Sequence, residues 1–420
     1  MKISIIGTGY VGLTSALCFA SKGHQVICHD KDITKINQLN QKIPTIFEQG
    51  LPELLSEMIE KKSIEFTNNL EYAVKNSEVI ILAVGTPQAS NGQADLSYIY
   101  ECAKQSAKFV DKYKLFITKS TVSVGTNYEI KKIIEEISNI KIDVASNPEF
   151  MREGFALDDF FHPDRIVIGC ETTIAKNLCQ ELYQPWLIEN YPILFTDIKT
   201  AELIKYASNA FLMTKVAFIN EIENLANKIG ANISDISKGI GMDNRIGKAF
   251  LNPGPGIGGS CFPKDSLALS FIANQHQIDL AILNQVIKSN TQRFIDSANR
   301  IIDFANSVDP QQKNISILGL AFKAGTDDIR QSPAIEIIKI LVKNGFKINV
   351  FDPQALENTK KTLIDKIYQD NIFYHDNLLD CYEKNQIIAI LTEWQEFKQI
   401  TGFKDFSNKK IIDLRRLILK

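Results

Sequence analysis

The segment GTGYVG, residues 7–12, constrains the fold of this chain more than any other short stretch. It follows an apolar run typical of a buried strand, residues 2–7, and opens a helical pattern over residues 10–23. Glycines at this spacing allow a tight turn, a close approach of the backbone to a pyrophosphate, and close packing of helix on strand. The helix N-terminus also offers unpaired N–H groups and a partial positive charge to phosphates. The motif therefore predicts a dinucleotide site.

An acidic residue ends the second predicted strand, QVICHD, residues 25–30. Asp30 lies where a carboxylate can accept hydrogen bonds from the hydroxyls of the adenosine ribose. Its charge would repel the 2′-phosphate of NADP, so the sequence predicts NAD as the cofactor. Lys31 and Lys35 weaken this preference slightly. A lone GxGxxG can also be a tight turn and nothing more, and it does not identify a reaction.

Strand and helix patterns alternate in the N-terminal third and again in the C-terminal third. Apolar, β-branched runs at residues 78–87 and 114–121 continue the first series, and the run at 314–322 begins the second. Between them, residues 197–229 and 277–307 hold no Gly or Pro and keep helical periodicity. Strands alternating with helices predict parallel sheets with right-handed crossovers, so we expect an α/β fold.

This alternation predicts three domains in a chain of 420 residues, which is too long for one ordinary domain. We expect an N-terminal NAD-binding domain at residues 1–196 and a central helical domain at residues 197–308 that carries a glycine-rich cysteine loop. A second α/β domain would occupy residues 309–420.

Charge and composition argue against several other classes of protein. The net charge is −2 and no long block of like charge occurs, so we expect no nucleic-acid partner. Residues 3–20 are nearly uncharged and about long enough to span a bilayer, but their glycines favour strand, turn and helix, so we expect no membrane partner. Seven scattered cysteines without CxxC, and five histidines without HExxH, predict no metal and a reducing, cytoplasmic compartment.

One cysteine lies in an unusual segment, GPGIGGSCFPKD at residues 254–265. Most free cysteines are small buried apolar residues, and Cys18 and Cys28 fit that description. Cys261 instead follows glycines and a serine, and glycines let the backbone come close to a ligand. A helix beginning near Pro263 would lower the pKa of the thiol from about 8.5. The alternative is a structural turn that contains a neutral cysteine.

A thiolate beside a nicotinamide indicates one particular reaction. Oxidation of an alcohol to an aldehyde needs a hydride acceptor and a base, but no thiol. Oxidation of the aldehyde to an acid does need a nucleophile, whose adduct can lose a second hydride and leave a thioester. An NAD site together with a nucleophilic cysteine therefore suggests the second half of a four-electron oxidation.

Two polar residues share one face of the predicted helix at residues 197–229. Lys205 and Asn209 are four residues apart among apolar neighbours. Facing a cleft, this pair would stabilise a developing alkoxide or oxyanion, and a desolvated lysine could also act as a base. The alternative for Lys205 is a solvated surface lysine, and sequence alone does not decide between them.

A further polar segment, SNPEFMREG at residues 146–154, follows a predicted strand. Loops at the carboxyl ends of parallel strands are where α/β sheets bind ligands, so Glu149 and Glu153 are candidate site residues. The same residues could also start a helix, with Asn147 as its cap and Pro148 at its first position, and both interpretations can hold together.

With these features in order, the chain resembles the UDP-glucose/GDP-mannose dehydrogenase family of nucleotide-sugar dehydrogenases over essentially its whole length. The cysteine loop and the NPEF segment are highly specific together. The motifs that carry the resemblance are GTGYVG (7–12), VGTP (84–87), STV (120–122), NPEFMREG (147–154), HPDRIVIG (162–169), ELIKYASNAF (202–211), NRIGKAFLNPGPGIGGSCFPKD (244–265) and FKAGTDDIRQSPA (322–334).

The resemblance implies a fold, an activity and an assembly. The expected fold is two Rossmann-like, doubly wound parallel-sheet domains joined by a long central helix that builds a homodimer. The C-terminal domain would bind the UDP-sugar. The expected activity is oxidation of UDP-glucose at C6 to UDP-glucuronate with two NAD and one water. The same chemistry on GDP-mannose or a UDP-N-acetylhexosamine is the alternative.

The resemblance also implies catalytic roles for the residues of this chain that match the family's motifs. Cys261 would be the nucleophile of the thiohemiacetal and the thioester. Lys205 and Asn209 would hold the C6 oxygen and stabilise its negative charge, and Glu149 would activate water for hydrolysis. The positions that would place the water are Thr121 and Asp265.

Binding positions carry over in the same way. The cofactor positions are Gly7, Gly9, Tyr10, Val11, Gly12, Asp30, Lys35, Thr86, Pro87, Thr121, Glu153, Lys264 and Arg330. The substrate positions are Glu149, Phe150, Met151, Arg152, Glu153, Lys205, Asn209, Arg245, Asn252, Gly254, Gly256, Ile257, Gly258, Phe322 and Lys323. Arg245 would reach the neighbouring subunit's site, and either Arg415 or Arg416 would contact substrate.

The chain departs from the family pattern at three positions. Met151 replaces a usual Leu, Ser123 a usual Pro, and Ile257 a usual aromatic residue, and none of them touches the expected chemistry. A two-electron hydroxyacid-type dehydrogenase would not need Cys261. A non-catalytic NAD sensor would not need the polar groups that are present.

Overall fold

The computed structural model describes residues 1–89 and 92–418. These residues form two compact units, Met1–Ser208 and Asn209–Lys420. Each unit contains a doubly wound sheet, which confirms the expected α/β fold class. The division into three domains is not tested by these units and stays a prediction.

The first unit contains an eight-stranded sheet in the order β3-β2-β1-β4-β5-β6-β7-β8. Its strands are β1 (Lys2–Ile6), β2 (Gln25–His29), β3 (Ile64–Thr67), β4 (Val79–Leu82), β5 (Leu115–Thr118), β6 (Asp143–Ser146), β7 (Ile166–Cys170) and β8 (Ile193–Thr196). Its helices are α1 (Tyr10–Ser21), α2 (Ile33–Asn40), α3 (Leu51–Glu60), α4 (Leu70–Lys75), α5 (Ser97–Ala107), α6 (Thr126–Ser138), α7 (Ala156–Phe161), α8 (Thr173–Leu182) and α9 (Gln184–Ile188).

Residue alternation along the strands explains why helices cover both faces of this sheet. In β4, Val79 and Ile81 join one hydrophobic core with residues of α1 and α3, while Ile80 and Leu82 join a second with residues of α5 and α6. Both sets are buried, as expected for a parallel strand with helices on either side.

One pair of strands departs from the expected parallel arrangement. In the described chain, β6 pairs with β7 in antiparallel fashion, whereas the other neighbouring strands are parallel. The connection from Ser146 to Ile166 therefore begins and ends at the same edge of the sheet, the one where β6 ends. The NPEFMREG segment is part of this connection.

A 32-residue helix, α10 (Ile198–Ile229), runs from the first unit into the second and confirms the helix expected at residues 197–229. The second unit continues with α11 (Ile233–Gly241), α12 (Phe262–Gln275), α13 (Ala281–Val308), β9 (Asn314–Leu318), α14 (Pro333–Lys343), β10 (Lys347–Phe351), α15 (Leu356–Thr362), α16 (Lys366–Gln369), β11 (Ile372–Tyr374), α17 (Leu378–Lys384), β12 (Ile387–Ile390) and β13 (Lys410–Asp413). Two 3₁₀ segments, Gln395–Gly402 and Phe406–Asn408, precede the last strand. The five strands form a parallel sheet in the order β11-β10-β9-β12-β13.

The apolar stretch at residues 3–20 consists of most of β1, the glycine turn and most of α1, as its glycines indicate. Among the described helices, none is both long and apolar enough to cross a bilayer.

Candidate active site

The glycine turn after β1 has the geometry that a dinucleotide needs. Gly7 has φ +106, and a Cβ there would lie 2.7 Å from the carbonyl oxygen of Ala83. A Cβ on Gly12 would lie 1.9 Å from the Gly7 oxygen. A Cβ on Gly9 would have no heavy atom of the described residues within 4 Å, so the space beside this backbone is open. The turn therefore fits a pyrophosphate at Gly9, directly before the first residues of α1.

Asp30 lies directly after β2, where the ribose of the cofactor is expected. Its Oδ2 accepts hydrogen bonds from the backbone N and the Oγ1 of Thr8 at 2.9 and 2.7 Å, and its Oδ1 accepts one from the N of Asp32 at 3.0 Å. Burial opposes ionisation, but these bonds and the charge of Lys35 outweigh it, so the pKa of Asp30 is lowered. An ionised carboxylate has spare acceptor capacity for ribose hydroxyls, and the residues present fit NAD.

A second acidic residue, which the sequence did not indicate, links the glycine turn to the NPEFMREG segment. Glu48, which is buried, accepts a short hydrogen bond from the Tyr10 hydroxyl. It also accepts hydrogen bonds from the N atoms of Gly154 and Ala156 at 2.8 and 2.9 Å. Burial and the Glu48 charge raise the pKa of Tyr10. Glu48 follows α2 in a connection without any motif, so sequence alone offered no signal for this role.

The remaining cofactor candidates of the first unit lie at the carboxyl ends of neighbouring strands. Thr86 and Pro87 follow β4, and Thr121 follows β5. The Thr86 hydroxyl donates to the Thr121 carbonyl oxygen at 2.8 Å, so the structure brings these two positions together.

Glu149 and Lys205 form a buried ion pair at the carboxyl end of β6. The Lys205 Nζ lies 3.1 Å from Glu149 Oε1, and the two residues are only 3% and 8% exposed. Glu149 Oε2 accepts a hydrogen bond from the Met151 N at 2.6 Å. The Lys205 Nζ also lies 5.2 Å from the centroid of the Phe150 ring. The alternative of a solvated Lys205 is therefore wrong.

The alternative interpretation of residues 147–154 as a helix start is also wrong. The segment is an irregular loop, and the next helix begins only at Ala156. The Asn147 side chain bonds to the Val167 oxygen and to Lys119 and Tyr183 instead of capping a helix. The Arg152 side chain of this loop is exposed and pairs with Asp159 of α7.

In the second unit, Cys261 is the N-cap residue of α12, and Pro263 lies in the first turn of that helix. This confirms the expected helix start near Pro263, whose dipole favours a thiolate. The Ser260 Oγ lies 3.6 Å from the Cys261 Sγ. A glycine-rich loop thus presents a partly exposed thiol at a positive helix end.

A buried amide–carboxylate pair lies one turn into the same helix. Asp265 Oδ2 accepts a hydrogen bond from the Asn209 Nδ2 at 2.6 Å, and its Oδ1 is paired with the Lys264 Nζ at 2.7 Å. Both Asn209 and Asp265 are buried. The structure therefore brings together three of the predicted residues of this unit.

Side chains of α10 and α13 hold the glycine-rich loop by its backbone. The Gly254 N donates to Asn220 Oδ1 at 2.9 Å, and the Ile257 N donates to Asn290 Oδ1 at 2.8 Å. Arg293 Nε donates to the Gly254 oxygen at 2.8 Å and pairs with buried Glu223. The Ile257 side chain is itself buried.

The two C-terminal arginines differ in their surroundings. The Arg415 Nη2 donates to the Phe322 oxygen at 3.1 Å, and its guanidinium lies against Gly254, two of the predicted substrate positions. Arg416 pairs with buried Glu223 and donates to the Pro253 oxygen at 3.3 Å.

Other predicted positions of the second unit have separate partners. Arg330 pairs with Asp328, and its carbonyl oxygen accepts from the Gly259 N at 2.9 Å, next to the cysteine loop. Arg245 is exposed and pairs with neighbouring Asp243.

Two glycine substitutions separate fold stability from cofactor binding. We expect Gly12→Ala to lower the free energy of unfolding by about 2 kcal/mol or more, because its Cβ would collide with the Gly7 backbone. Gly9→Ala should leave the melting temperature near that of the wild type and weaken NAD binding by about tenfold or more, because its methyl fills the open space. Thermal denaturation and NAD titration measure both effects. Unchanged NAD affinity in Gly9→Ala would place the pyrophosphate elsewhere.

Comparison with known proteins shows the family to which the chain belongs. Three models of the UDP-glucose/GDP-mannose dehydrogenase family match it: the NAD binding domain at residues 1–187, the central domain at residues 199–292 and the UDP binding domain at residues 316–420. The chain is 45% identical over 421 residues to a UDP-glucose 6-dehydrogenase of Rickettsia felis, covering 100% of this chain and 93% of the relative. It is 42% identical over 430 residues to one of Rhizobium meliloti, covering 100% and 96%.

Solved structures also match this chain over nearly its whole length. A UDP-glucose dehydrogenase from Pyrobaculum islandicum matches with a TM-score of 0.91 and 32% identity, over 99% of this chain and 95% of that one. A UDP-D-ManNAc dehydrogenase from Pyrococcus horikoshii matches with a TM-score of 0.85 and 27% identity, over 100% and 96%. This chain therefore belongs to the UDP-glucose/GDP-mannose dehydrogenase family and is an NAD-dependent oxidoreductase.

Proposed function

We propose that this chain oxidises UDP-glucose at C6 to UDP-glucuronate through covalent intermediates on Cys261. The observation that carries the proposal is the thiol itself, at the N-terminus of α12 within a glycine-rich loop. A dehydrogenase that stops at the aldehyde needs no such thiol, whereas one that continues to the acid does. The relatives named UDP-glucose 6-dehydrogenase support the choice of substrate.

The first oxidation converts the C6 alcohol to an aldehyde. When bound, NAD supplies the hydride acceptor, and two molecules are used for each sugar. Lys205 and Asn209 lie one helical turn apart on α10 and are both buried. In this mechanism they hold the C6 oxygen and stabilise its developing negative charge. Glu149, paired with Lys205, accepts the hydroxyl proton and releases it to solvent before the hydrolysis step.

The second oxidation uses the cysteine. The Cys261 thiolate adds to C6 of the aldehyde and forms a thiohemiacetal, whose oxygen carries the charge that Lys205 and Asn209 stabilise. Loss of the C6 hydrogen as hydride then leaves a thioester. The sulfur–carbon bond keeps the aldehyde from leaving the enzyme between the two oxidations.

Hydrolysis of the thioester completes the reaction. Glu149 accepts a proton from the attacking water, the tetrahedral adduct collapses, and the carbon–sulfur bond breaks to release the acid and regenerate the thiolate. Buried Glu149 is already a hydrogen-bond acceptor, for Met151 N and for Lys205, so its orientation is fixed before water arrives. Thr121 and Asp265 position the water in this proposal.

Each remaining candidate residue is proposed to bind either the cofactor or the substrate. Asp30, the glycine turn, Lys35, Thr86, Pro87, Glu153, Lys264 and Arg330 are proposed for NAD. The NPEFMREG loop, the 252–258 loop, Phe322 and Lys323 are proposed for the UDP-sugar. Of the two C-terminal arginines, Arg415 is the better candidate because it contacts Phe322 and Gly254, while Arg416 neutralises Glu223.

A substrate panel tests the choice of sugar nucleotide. We expect kcat/KM for UDP-glucose to exceed that for GDP-mannose and for UDP-N-acetylglucosamine by about 100-fold or more, since a site that pairs each polar group of its substrate rejects one that leaves groups unpaired. NADH absorbance gives the rates directly. A preference for either of the other two nucleotides would leave the chemistry in place and overturn the proposed substrate.

The proposed compartment is the cytoplasm, and the proposed assembly is a homodimer in which Arg245 completes the partner's site. The dimer is supported by three exposed apolar side chains of α10. Phe211, Phe218 and Leu225 repeat every seven residues along this helix and are 66%, 52% and 56% exposed. Such a repeat lies along one helix face, and an exposed apolar stripe of this kind favours a helix-mediated interface. Light scattering should give twice the mass of one chain, and a monomer would contradict the proposal.

A further inference from the structure

A second lysine of the first unit lies close to the Glu149–Lys205 pair and has no place in the mechanism. Lys119 directly follows β5 and is 4% exposed. Its Nζ lies 3.1 Å from Asn147 Oδ1 and 3.3 Å from the Tyr183 hydroxyl oxygen, and 5.3 Å from the centroid of the Phe160 ring. Both hydrogen-bonding partners are neutral, and within the described residues no carboxylate lies within ion-pair distance of this ammonium. Burying a charge without a direct counter-ion is unfavourable, which calls for a compensating role.

The partners of Lys119 position the catalytic loop. The backbone N of Asn147 donates to the Thr118 oxygen at 2.9 Å, and its Nδ2 donates to the Val167 oxygen at 2.9 Å. Tyr183 also donates to the Asn147 Oδ1, so both the backbone and the side chain of Asn147 are fixed by hydrogen bonds. Glu149 is only two residues further along the chain, so the position of Asn147 helps to determine where the Glu149 carboxylate lies.

Electrostatics link the same groups. The charges that act on Lys119 come from Glu149 and from Lys205 on α10. Burial raises the pKa of the nearby Cys18 and Tyr183 side chains, so both are neutral. Burial lowers the pKa of Lys119 to about 8, which leaves most of it protonated at neutral pH. Glu149 therefore interacts with two cations, Lys205 by direct contact and Lys119 through its charge.

We propose that Lys119 is a positioning residue for Glu149, fixing through Asn147 the loop that carries this carboxylate. This inference rests on the proposed role of Glu149 in thioester hydrolysis. A general base must lie within hydrogen-bond reach of the water whose proton it accepts, so a displaced loop slows hydrolysis. Lys119 thereby supports thioester hydrolysis without touching the substrate.

The test separates hydrolysis of the acyl-enzyme from its formation. The acyl-enzyme on Cys261 is formed in a single turnover with UDP-glucose and excess NAD, and both its formation and its decay are followed by intact-protein mass spectrometry. The variants are Lys119→Met, which removes the donor to Asn147, and Lys119→Gln, which keeps a donor. We expect Lys119→Met to slow the decay by about tenfold or more while formation stays near the wild-type rate, and Lys119→Gln to restore most of the decay rate.

Lys114 provides the matched control, because it is fully buried and directly precedes the same strand. Its Nζ donates to the Ser77 oxygen at 2.7 Å, and Glu149 is not among the charges that act on it. Lys114→Met should lower stability and leave the decay rate of the acyl-enzyme unchanged. A wild-type decay rate in Lys119→Met, or an equal loss of formation and decay, overturns the inference. So does failure of both Lys119 variants to fold while Lys114→Met folds, because Lys119 would then be purely structural.

The inference and the proposed function fail in different ways. If the wild type forms no acyl-enzyme, or if Glu149→Gln leaves hydrolysis unchanged, the proposed chemistry is wrong. If the acyl-enzyme forms and Glu149→Gln slows its hydrolysis, the chemistry stands, and the Lys119 variants alone decide the inference.

Discussion

Cys261→Ser is expected to lower the steady-state rate of NADH formation with UDP-glucose by about 10⁴-fold or more. A serine hydroxyl at the same helix N-terminus is a far weaker nucleophile than a thiolate, and an ester resists hydrolysis more than a thioester. The variant should therefore stall with sugar bound to the enzyme after at most a single turnover. Rapid mixing with UDP-glucose and NAD, followed by intact-protein mass spectrometry, would detect the stalled species.

Cys102→Ser is the matched control for this experiment, because Cys102 is another partly exposed free cysteine. It lies on α5, which carries none of the proposed site residues, and its substitution should leave the rate unchanged. A Cys261→Ser enzyme with more than about a tenth of the wild-type rate would show that the thiol is not the nucleophile.

The second large effect is expected at Lys205. We expect Lys205→Gln to reduce kcat by about 10²–10³-fold with a much smaller change in KM, because the lysine charge matters most when the C6 oxygen becomes negative. Glutamine keeps a hydrogen-bond donor for buried Glu149, so the loss measures the missing charge and not a missing hydrogen bond. Steady-state kinetics with varied UDP-glucose separates the two constants.

Lys228, an exposed lysine in the last turn of the same helix, is the control for Lys205. Lys228→Gln should have kinetics like those of the wild type. If Lys205→Gln raises KM and leaves kcat unchanged, Lys205 would be a binding residue and not one that stabilises the transition state.

The sequence predicts those parts of the fold that depend on local pattern. No glycine or proline interrupts residues 197–229, and the structure has a continuous helix at Ile198–Ile229. Phe262 and Pro263 begin α12 as expected, since proline is favoured in the first turn of a helix. The glycine turn after β1 follows from the steric demands of its glycines.

The β6–β7 pair shows why the rest could not be predicted. A strand, a polar loop and another strand usually indicate a parallel crossover in a chain of this pattern. Here the loop stays at the carboxyl edge of the sheet, because Glu48 binds the N atoms of Gly154 and Ala156 there. The next strand, beginning at Ile166, therefore runs in the opposite direction. Glu48 is more than 100 residues away along the chain, outside the reach of any local pattern.

The burial of two lysines could not be predicted from the sequence for a similar reason. Lys119 lies after a strand like many exposed lysines, and its partners Asn147 and Tyr183 are 28 and 64 residues away. Hydrophobic periodicity treats every lysine as polar surface, so only the packed structure separates Lys119 and Lys205 from solvated lysines.

The account as a whole depends on four-electron oxidation through Cys261, and one measurement tests it most directly. Wild-type enzyme is given a limiting amount of UDP-glucose with excess NAD, and the NADH formed per sugar consumed is counted at completion. The account predicts two NADH per UDP-glucose, with UDP-glucuronate as product. One NADH per sugar, with a C6 aldehyde released, would contradict it and make the glycine-rich cysteine loop a structural element.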